Sequence, residues 1–151
     1  MLRPGTPAPD IVLNDQRGEP FTLSHAWRSG KVVLFFYPKA DTPVCTKEAC
    51  AFRDAFADLK AKDVTIVGIS RDGSEAQQAF AQKWNLPFTL LADVEGRAHA
   101  AYKASGLFGI IPGRITYLID RGGTILNSYS ALFGSDAHVQ NALEVLDQGK
   151  V

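Results

Sequence analysis

The sequence predicts a three-layer α/β sandwich, with helices on both faces of one sheet. Three observations support this fold class. Apolar runs typical of buried strands alternate with segments whose apolar residues recur every three or four positions, as in amphipathic helices. A strand hairpin and one more helix follow these units, and strand–helix–strand crossovers are right-handed. The 151 residues are 46% hydrophobic and 21% charged, which suits a single domain, 1–151, with a sizeable core.

The elements can be placed in order. An N-terminal hairpin turns at the polar residues 14–18, and a second hairpin turns at 120–123, where glycine supplies positive φ. Asp72 and Gly73 form a turn before a helix for which Ser74 is the expected N-cap. The Gly-rich stretch 106–113 is expected to be a packed loop. The predicted strands are 11–13, 20–22, 32–37, 64–70, 86–92, 116–119 and 124–130, and the predicted helices are 43–62, 74–84, 99–104 and 136–146.

The two cysteines of the chain, Cys45 and Cys50, lie just after the point where an apolar strand gives way to a helix. Thr42 suits the N-cap and Pro43 suits the first helical position, so Cys45 falls in the first turn. There the helix dipole favours a thiolate, and N–H groups without an intrahelical partner can bind a polar or anionic ligand. The apolar stripe of this helix includes Cys45 but not Cys50.

The spacing of the cysteines limits when they can form a disulfide. Residues five apart in an α-helix have Cα atoms about 8.6 Å apart, whereas a disulfide tolerates about 7 Å at most. A Cys45–Cys50 bond therefore requires the first turn to unwind, which would couple oxidation to local unfolding. The alternative is a pair of ordinary reduced cysteines in a cytosolic protein, one of them buried. The position of Cys45 at the start of a helix favours the reactive interpretation.

Residues 38–50 form the motif Pro38-x-x-x-Thr42-x-x-Cys45, followed by Thr46-x-Glu48-x-x-Cys50. This motif resembles the active site of the peroxiredoxins and is closest to the bacterioferritin-comigratory-protein/PrxQ branch. Residues 7–13, 30–38 and 114–120 resemble the family's opening strand, its first core strand and the strand with its active-site arginine. The resemblance therefore covers nearly the whole chain. One departure is Val44, which stands where this branch usually has glycine.

The resemblance implies a thioredoxin-like fold, with a central mixed sheet and an N-terminal β-hairpin extension. It also implies an antioxidant, thiol-dependent peroxidase that reduces hydrogen peroxide and organic hydroperoxides. In such an enzyme the peroxide would oxidise Cys45 to a sulfenic acid, and Cys50 would resolve it as an intramolecular disulfide. Thioredoxin or a similar dithiol would then reduce the disulfide.

Four more residues are expected to take part in catalysis. The guanidinium of Arg114 is always charged, so it would favour the thiolate and polarise the peroxide. Thr42 and the free N–H groups would bind the peroxide oxygens, and Pro38 would shield the sulfur from water. Glu48, one turn after Cys45, would orient the guanidinium. From the residues alone Glu48 could equally be a surface glutamate, and the resemblance favours the orienting role.

Composition limits the partners and the location. Lys+Arg and Asp+Glu number 16 each, which suggests neither a nucleic-acid nor an anionic-membrane partner. No apolar run approaches the roughly 20 residues that span a bilayer, and the N-terminus lacks the apolar core of a secretory signal, so a cytoplasmic location is expected. No metal or other cofactor is expected, because two cysteines and three dispersed histidines lack ligand spacing. Since both cysteines lie in one chain, we expect a monomer, with a weak dimer as the alternative.

Three other functions are alternatives for a chain with these residues. A thiol–disulfide oxidoreductase would usually show Cys-x-x-Cys, and thioredoxin relatives carry a proline near the position of Arg114. A Cys–His hydrolase is a second alternative, because a cysteine and a distant histidine can meet in space. The Thr-Pro-x-Cys helix start has no accompanying histidine motif, however, and His25, His99 and His138 are scattered along the sequence. A redox sensor or holdase would use the disulfide only as a signal, and multiple turnovers of peroxide would distinguish a catalyst from it.

Overall fold

The computed structural model describes residues 1–104, 114–130 and 135–149, in which one mixed sheet of seven strands lies between two layers of helices. This architecture confirms the predicted sandwich. The prediction of a packed loop at 106–113 lies outside the described residues. The strands are β1 Val12–Asp15, β2 Pro20–Thr22, β3 Lys31–Phe36, β4 Val64–Ser70, β5 Thr89–Ala92, β6 Ile115–Ile119 and β7 Ile125–Ser130. The helices are α1 Leu23–Ser29, α2 Pro43–Asp54, α3 Phe56–Ala61, α4 Ser74–Trp84, α5 Arg97–Ala101 and α6 Ser135–Gly149.

The sheet has the strand order β2-β1-β5-β4-β3-β6-β7. Its centre is parallel, because β3, β4 and β5 are joined through helices, whereas the outer strands pair antiparallel. Residues 32–36 of β3 are wholly inaccessible to solvent, because helices cover both faces of this central strand. That burial explains why β3 is a continuous apolar run instead of an alternating one.

The two faces of β3 belong to different cores. Val33 and Phe35 pack into a core that includes Cys45 and residues of α2, α3, α4 and α6. Val32, Leu34 and Phe36 face the opposite core, which includes residues of α1 and α5. The cysteine helix is thus fixed to one face of the sheet by its own apolar stripe, and Cys45 is part of that packed layer.

The single helix predicted over 43–62 is two helices in the structure. The chain bends at Ala55, whose φ of −88° and ψ of −1° lie at the edge of the right-handed helical region, and α3 begins at Phe56. Neither proline nor glycine stands at the bend. Because α3 contacts β4, tertiary packing sets the bend rather than a local breaker.

Other boundaries differ from the prediction. Helix α1 was not predicted, although its buried residues Leu23 and Trp27 have helical spacing. The expected N-cap Ser74 is the first residue of α4, and Gly73 is the N-cap. Strand β5 begins only at Thr89, and α5 covers Arg97–Ala101 instead of 99–104.

The turn between β6 and β7 matches its prediction. Asp120 Oδ1 accepts hydrogen bonds from the backbone N–H groups of Gly122, at 2.9 Å, and Thr124, at 2.8 Å. Gly123 has a φ of +81°, and a Cβ atom there would lie 3.0 Å from the Trp27 ring. Glycine is therefore required for both the backbone conformation and the close approach of α1.

Candidate active site

The start of α2 places Cys45 in a buried first turn. Thr42 is the N-cap, with an extended backbone at φ −96° and ψ 156°, and Pro43 is the first helical residue, as predicted. The Thr42 carbonyl accepts the N–H of Thr46 at 2.8 Å. Its side chain, however, does not cap the helix, because the hydroxyl donates to the Lys39 carbonyl at 2.8 Å. The first-turn N–H groups therefore receive no side-chain cap from Thr42.

Arg114 reaches the cysteine from the neighbouring strand. In the antiparallel pairing of β3 with β6, Phe36 lies opposite Ile115, so the residue just before β6 lies beside the end of β3 and the start of α2. Arg114 Nη2 donates a hydrogen bond to Cys45 Sγ at 3.2 Å. The sulfur and the guanidinium are both buried, with the cysteine 1% exposed. A fixed positive charge in contact with sulfur in a site of low dielectric stabilises the thiolate.

Glu48 holds the other side of the guanidinium. Its Oε1 accepts a hydrogen bond from Arg114 Nη1 at 2.9 Å, and the carboxyl is fully buried, so the alternative of a surface glutamate is wrong. Burial raises the pKa of Glu48 to about 7, although the nearby Arg114 charge and hydrogen bond oppose that rise. The guanidinium is thus shared between a carboxyl and a sulfur that lie one helical turn apart.

A buried histidine that the sequence analysis did not select completes this cluster. His138 on α6 places its Nδ1 2.7 Å from Thr116 Oγ1 and 3.5 Å from Glu48 Oε2. The sequence signal for it is the spacing of residues 138, 142 and 146, which recur every four positions and are all buried. A histidine on the buried stripe of a helix is placed for contact with other buried groups.

The loop that carries Pro38 and Thr42, both half-buried, is fixed at two points. The Ala40 N–H donates to Asp72 Oδ2 at 2.8 Å. Asp41, at a φ of +58°, accepts hydrogen bonds from Lys83 Nζ at 3.0 Å and from Trp84 Nε1 at 3.1 Å. These bonds, that of Lys83 first, hold the pKa of Asp41 below its usual range. The approach to α2 is therefore tied to the loop that follows β4 and to α4.

Cys50 lies on the same intact helix as Cys45, and both thiols are free. Cys50 is partly exposed, whereas Cys45 is buried. Burial raises the pKa of the Cys50 thiol, while the charge of Arg53 acts in the opposite direction. The structure thus contains the reduced arrangement, in which helical geometry keeps the two sulfurs too far apart to bond.

The remaining histidines lie in other surroundings. His25 is exposed on α1, and His99 on α5 is buried against Asp93, with 2.6 Å between Nδ1 and Oδ2. No group of three or more His, Cys, Asp or Glu side chains within the described ranges could hold a metal ion. Nor does any helix in those ranges have the length and apolarity to cross a membrane.

Comparison with known proteins agrees with this geometry. Residues 4–128 match the AhpC/TSA family. The chain is 42% identical over 147 residues to the chloroplastic peroxiredoxin Q of Sedum lineare. This match covers 97% of this chain and 78% of the relative. It is 41% identical over 143 residues to the chloroplastic peroxiredoxin Q of Arabidopsis thaliana, covering 94% of this chain but only 66% of that longer protein.

A solved structure supports the same assignment. The peroxidoxin BcpB of Mycobacterium tuberculosis superposes with a TM-score of 0.92 at 39% sequence identity, and the match covers 98% of both chains. Family match, relatives and fold therefore agree, and the chain belongs to the AhpC/TSA family as a peroxiredoxin of the Q type, a family of thiol-dependent peroxidases.

Proposed function

We propose that the chain reduces hydrogen peroxide and organic hydroperoxides at Cys45, through a sulfenic acid that Cys50 resolves as an intramolecular disulfide. One observation carries the proposal: the sulfur of Cys45 is buried at a helix start and accepts a hydrogen bond from Arg114 Nη2 at 3.2 Å. That contact supplies an ionised nucleophile, which the attack on an O–O bond requires.

The chemistry uses the groups around the sulfur. The Cys45 thiolate attacks the terminal oxygen of ROOH, so an S–O bond forms while the O–O bond breaks, and the leaving RO⁻ takes a proton to become ROH. Arg114 stabilises the charge that moves from sulfur to oxygen, together with the first-turn N–H groups. Thr42 bonds the peroxide oxygens, Pro38 limits access of water, and Glu48 keeps the guanidinium in place through its 2.9 Å bond.

Resolution requires a change of conformation. Cys50 Sγ displaces hydroxide from the Cys45 sulfenic acid, which gives a disulfide and water after protonation. Because both residues lie in the intact helix α2, the first turn must unwind before the sulfurs can meet. Thioredoxin or a similar dithiol then reduces the bond by exchange, preferably at the more exposed Cys50 sulfur.

We place this activity in a monomer in the cytoplasm, with no nucleic acid or membrane among its partners. Equal numbers of acidic and basic residues support the absence of a polyanionic partner. Both sulfur residues come from one chain, so no second subunit is needed for the disulfide. Sedimentation of the reduced and oxidised protein would test the monomer, and a stable dimer in both states would contradict it.

Peroxide consumption with excess thioredoxin, thioredoxin reductase and NADPH, and no small thiols, tests the function. The wild-type chain should turn over many equivalents, Cys45→Ser none, and Cys50→Ser one equivalent before it stalls. Peptide mapping after one equivalent of peroxide should show an intrachain 45–50 crosslink in the wild type. Consumption of a single equivalent by the wild type would indicate a sensor. Equal, near-complete activity in both variants would refute the assigned roles.

A further inference from the structure

The cluster behind Cys45 contains more ionisable groups than the proposed reaction uses. Glu48 and His138 are both fully buried, and they come from α2 and α6, which pack against each other. Glu48 Oε1 is satisfied by Arg114, whereas Oε2 has no hydrogen-bond partner within the described residues. Oε2 lies 3.5 Å from His138 Nδ1, which is long for a hydrogen bond but well within ion-pair range.

A proton on at least one of these two atoms makes the contact favourable. Without one, the lone pair of Nδ1 and an anionic carboxylate oxygen would face each other in a buried site, which is repulsive. Thr116 Oγ1, 2.7 Å from the same nitrogen, can either donate to it or accept from it. The hydroxyl therefore fits a proton on Nδ1 as well as a proton on Oε2, and the pair has two acceptable ways to hold it.

The charges of the groups around Glu48 and His138 explain why the pair retains this proton. The described ionisable groups around the cluster include Cys45 on α2, Arg114 before β6 and Tyr129 on β7, whose ring centroid lies 4.8 Å from that of His138. Tyr37, just after β3, is buried in the same core and close enough to Cys45 for their charges to interact. Arg114 supplies one positive charge. Two buried anions, the Cys45 thiolate and the Glu48 carboxylate, would leave one negative charge uncompensated, which is costly in a low dielectric.

We propose that His138 is a positioning residue that acts on Cys45 through Glu48: imidazole and carboxyl together hold one proton more than a neutral imidazole and an ionised carboxylate would carry, so that the buried cluster stays neutral when the sulfur is ionised. This inference rests on the proposed function of Cys45 as the reacting thiolate. The raised pKa of Glu48, about 7, agrees with a proton that is retained near neutral pH. In this arrangement α6 controls the charge next to the guanidinium without touching the substrate.

A double-mutant cycle tests the coupling. In a Cys50→Ser background, where one thiol remains, the rate of alkylation by iodoacetamide is measured against pH to give the midpoint of Cys45 ionisation. His138→Asn should raise that midpoint by on the order of one pH unit, because Glu48 without the imidazole retains the extra proton less strongly and places a negative charge near the sulfur at a lower pH. In a Glu48→Gln background the same substitution should move the midpoint by less than about 0.2 pH unit, since the carboxylate through which it acts is gone.

His99→Asn is the matched control, because His99 is also buried and paired with a carboxylate, Asp93, in the other core. It should lower stability without moving the Cys45 midpoint. If His138→Asn fails to fold, His138→Gln serves in the same cycle. Equal shifts with Glu48 present and with Glu48→Gln, or no shift in either background, would overturn the inference. Because alkylation needs no peroxide, loss of peroxidase activity with the coupling intact would count against the proposed function alone.

Discussion

The replacement Arg114→Gln should move the ionisation midpoint of Cys45 upward by about 2 pH units. A unit charge 3.2 Å from the sulfur is worth about 5 kcal/mol at an effective dielectric constant of 20. That figure is an upper bound, because the charge is spread over the guanidinium and partly offset by Glu48 at 2.9 Å. Taking half, about 2.5 kcal/mol, and dividing by 1.36 kcal/mol per pH unit gives the expected shift.

The assay is alkylation of Cys45 by iodoacetamide across the pH range, again with Cys50 replaced by serine. At a pH well below both midpoints, the rate should fall about 100-fold, because the thiolate fraction falls by that factor. Arg114→Lys should shift the midpoint less than Arg114→Gln. Lysine keeps the positive charge but loses the planar guanidinium, whose two nitrogens bond Glu48 and the sulfur at the same time. Arg121→Gln is the control, because Arg121 is exposed and lies 3.8 Å from Asp63. An unchanged titration in Arg114→Gln would refute the electrostatic account of the nucleophile.

Three further predictions concern the same helix. Burial raises the pKa of Glu48 from its ordinary 4.5 to about 7, so its contribution to stability is full below pH 4.5 and is lost as the pH rises to 7. Relative to wild type, Glu48→Gln should therefore gain about 3 kcal/mol of unfolding free energy over that range in urea titrations, and parallel pH curves would contradict this. Thr42→Val should slow peroxide reduction about 100-fold while Thr42→Ser keeps most of the rate, and equal rates in stopped-flow measurements would exclude a role for the hydroxyl. Val44→Gly weakens the first turn by about 0.5 kcal/mol and should roughly double the rate of Cys45–Cys50 disulfide formation, measured by quenched mass spectrometry; a slower rate would contradict the need for unwinding.

The sequence predicted the sheet better than the helices around it. The strand over residues 32–36 is a continuous apolar run with turn signals at both ends, so its place at the centre follows from composition alone. The bend at Ala55 has no local cause, because it depends on how α3 meets β4, and no pattern within 43–62 could show it. Helix α1 is not predicted for a local reason: its seven residues make only about two turns, which are too few for a helical period to be recognised.

The site divides in the same way. Cys45, Thr42 and Pro43 lie close together in sequence, and helix-start chemistry was enough to place them. The contact of Arg114 with Cys45 spans 69 residues and was expected from the family resemblance, because nothing local specifies which strand lies beside β3. His138 is 90 positions beyond Glu48, and only the packing of α6 on α2 brings the two together. A lone histidine in a sequence carries no sign of the carboxylate that it will meet.

The contact of Arg114 with Cys45 also opposes unwinding of the first turn of α2, and the proposed chemistry weakens that contact. While the sulfur is a thiolate, the attraction of Arg114, about 2.5 kcal/mol by the reasoning above, opposes unwinding of the first turn. Oxidation turns the sulfur into a neutral sulfenic acid, so that attraction is lost at the step where unwinding is needed. The remaining cost is the first-turn hydrogen bonds, such as that of the Thr46 N–H to the Thr42 carbonyl, at about 1 kcal/mol each, and the exposure of one small side chain. Under the proposed mechanism, the helix would therefore stay folded until Cys45 has reacted, and the substrate itself would trigger the approach of Cys50.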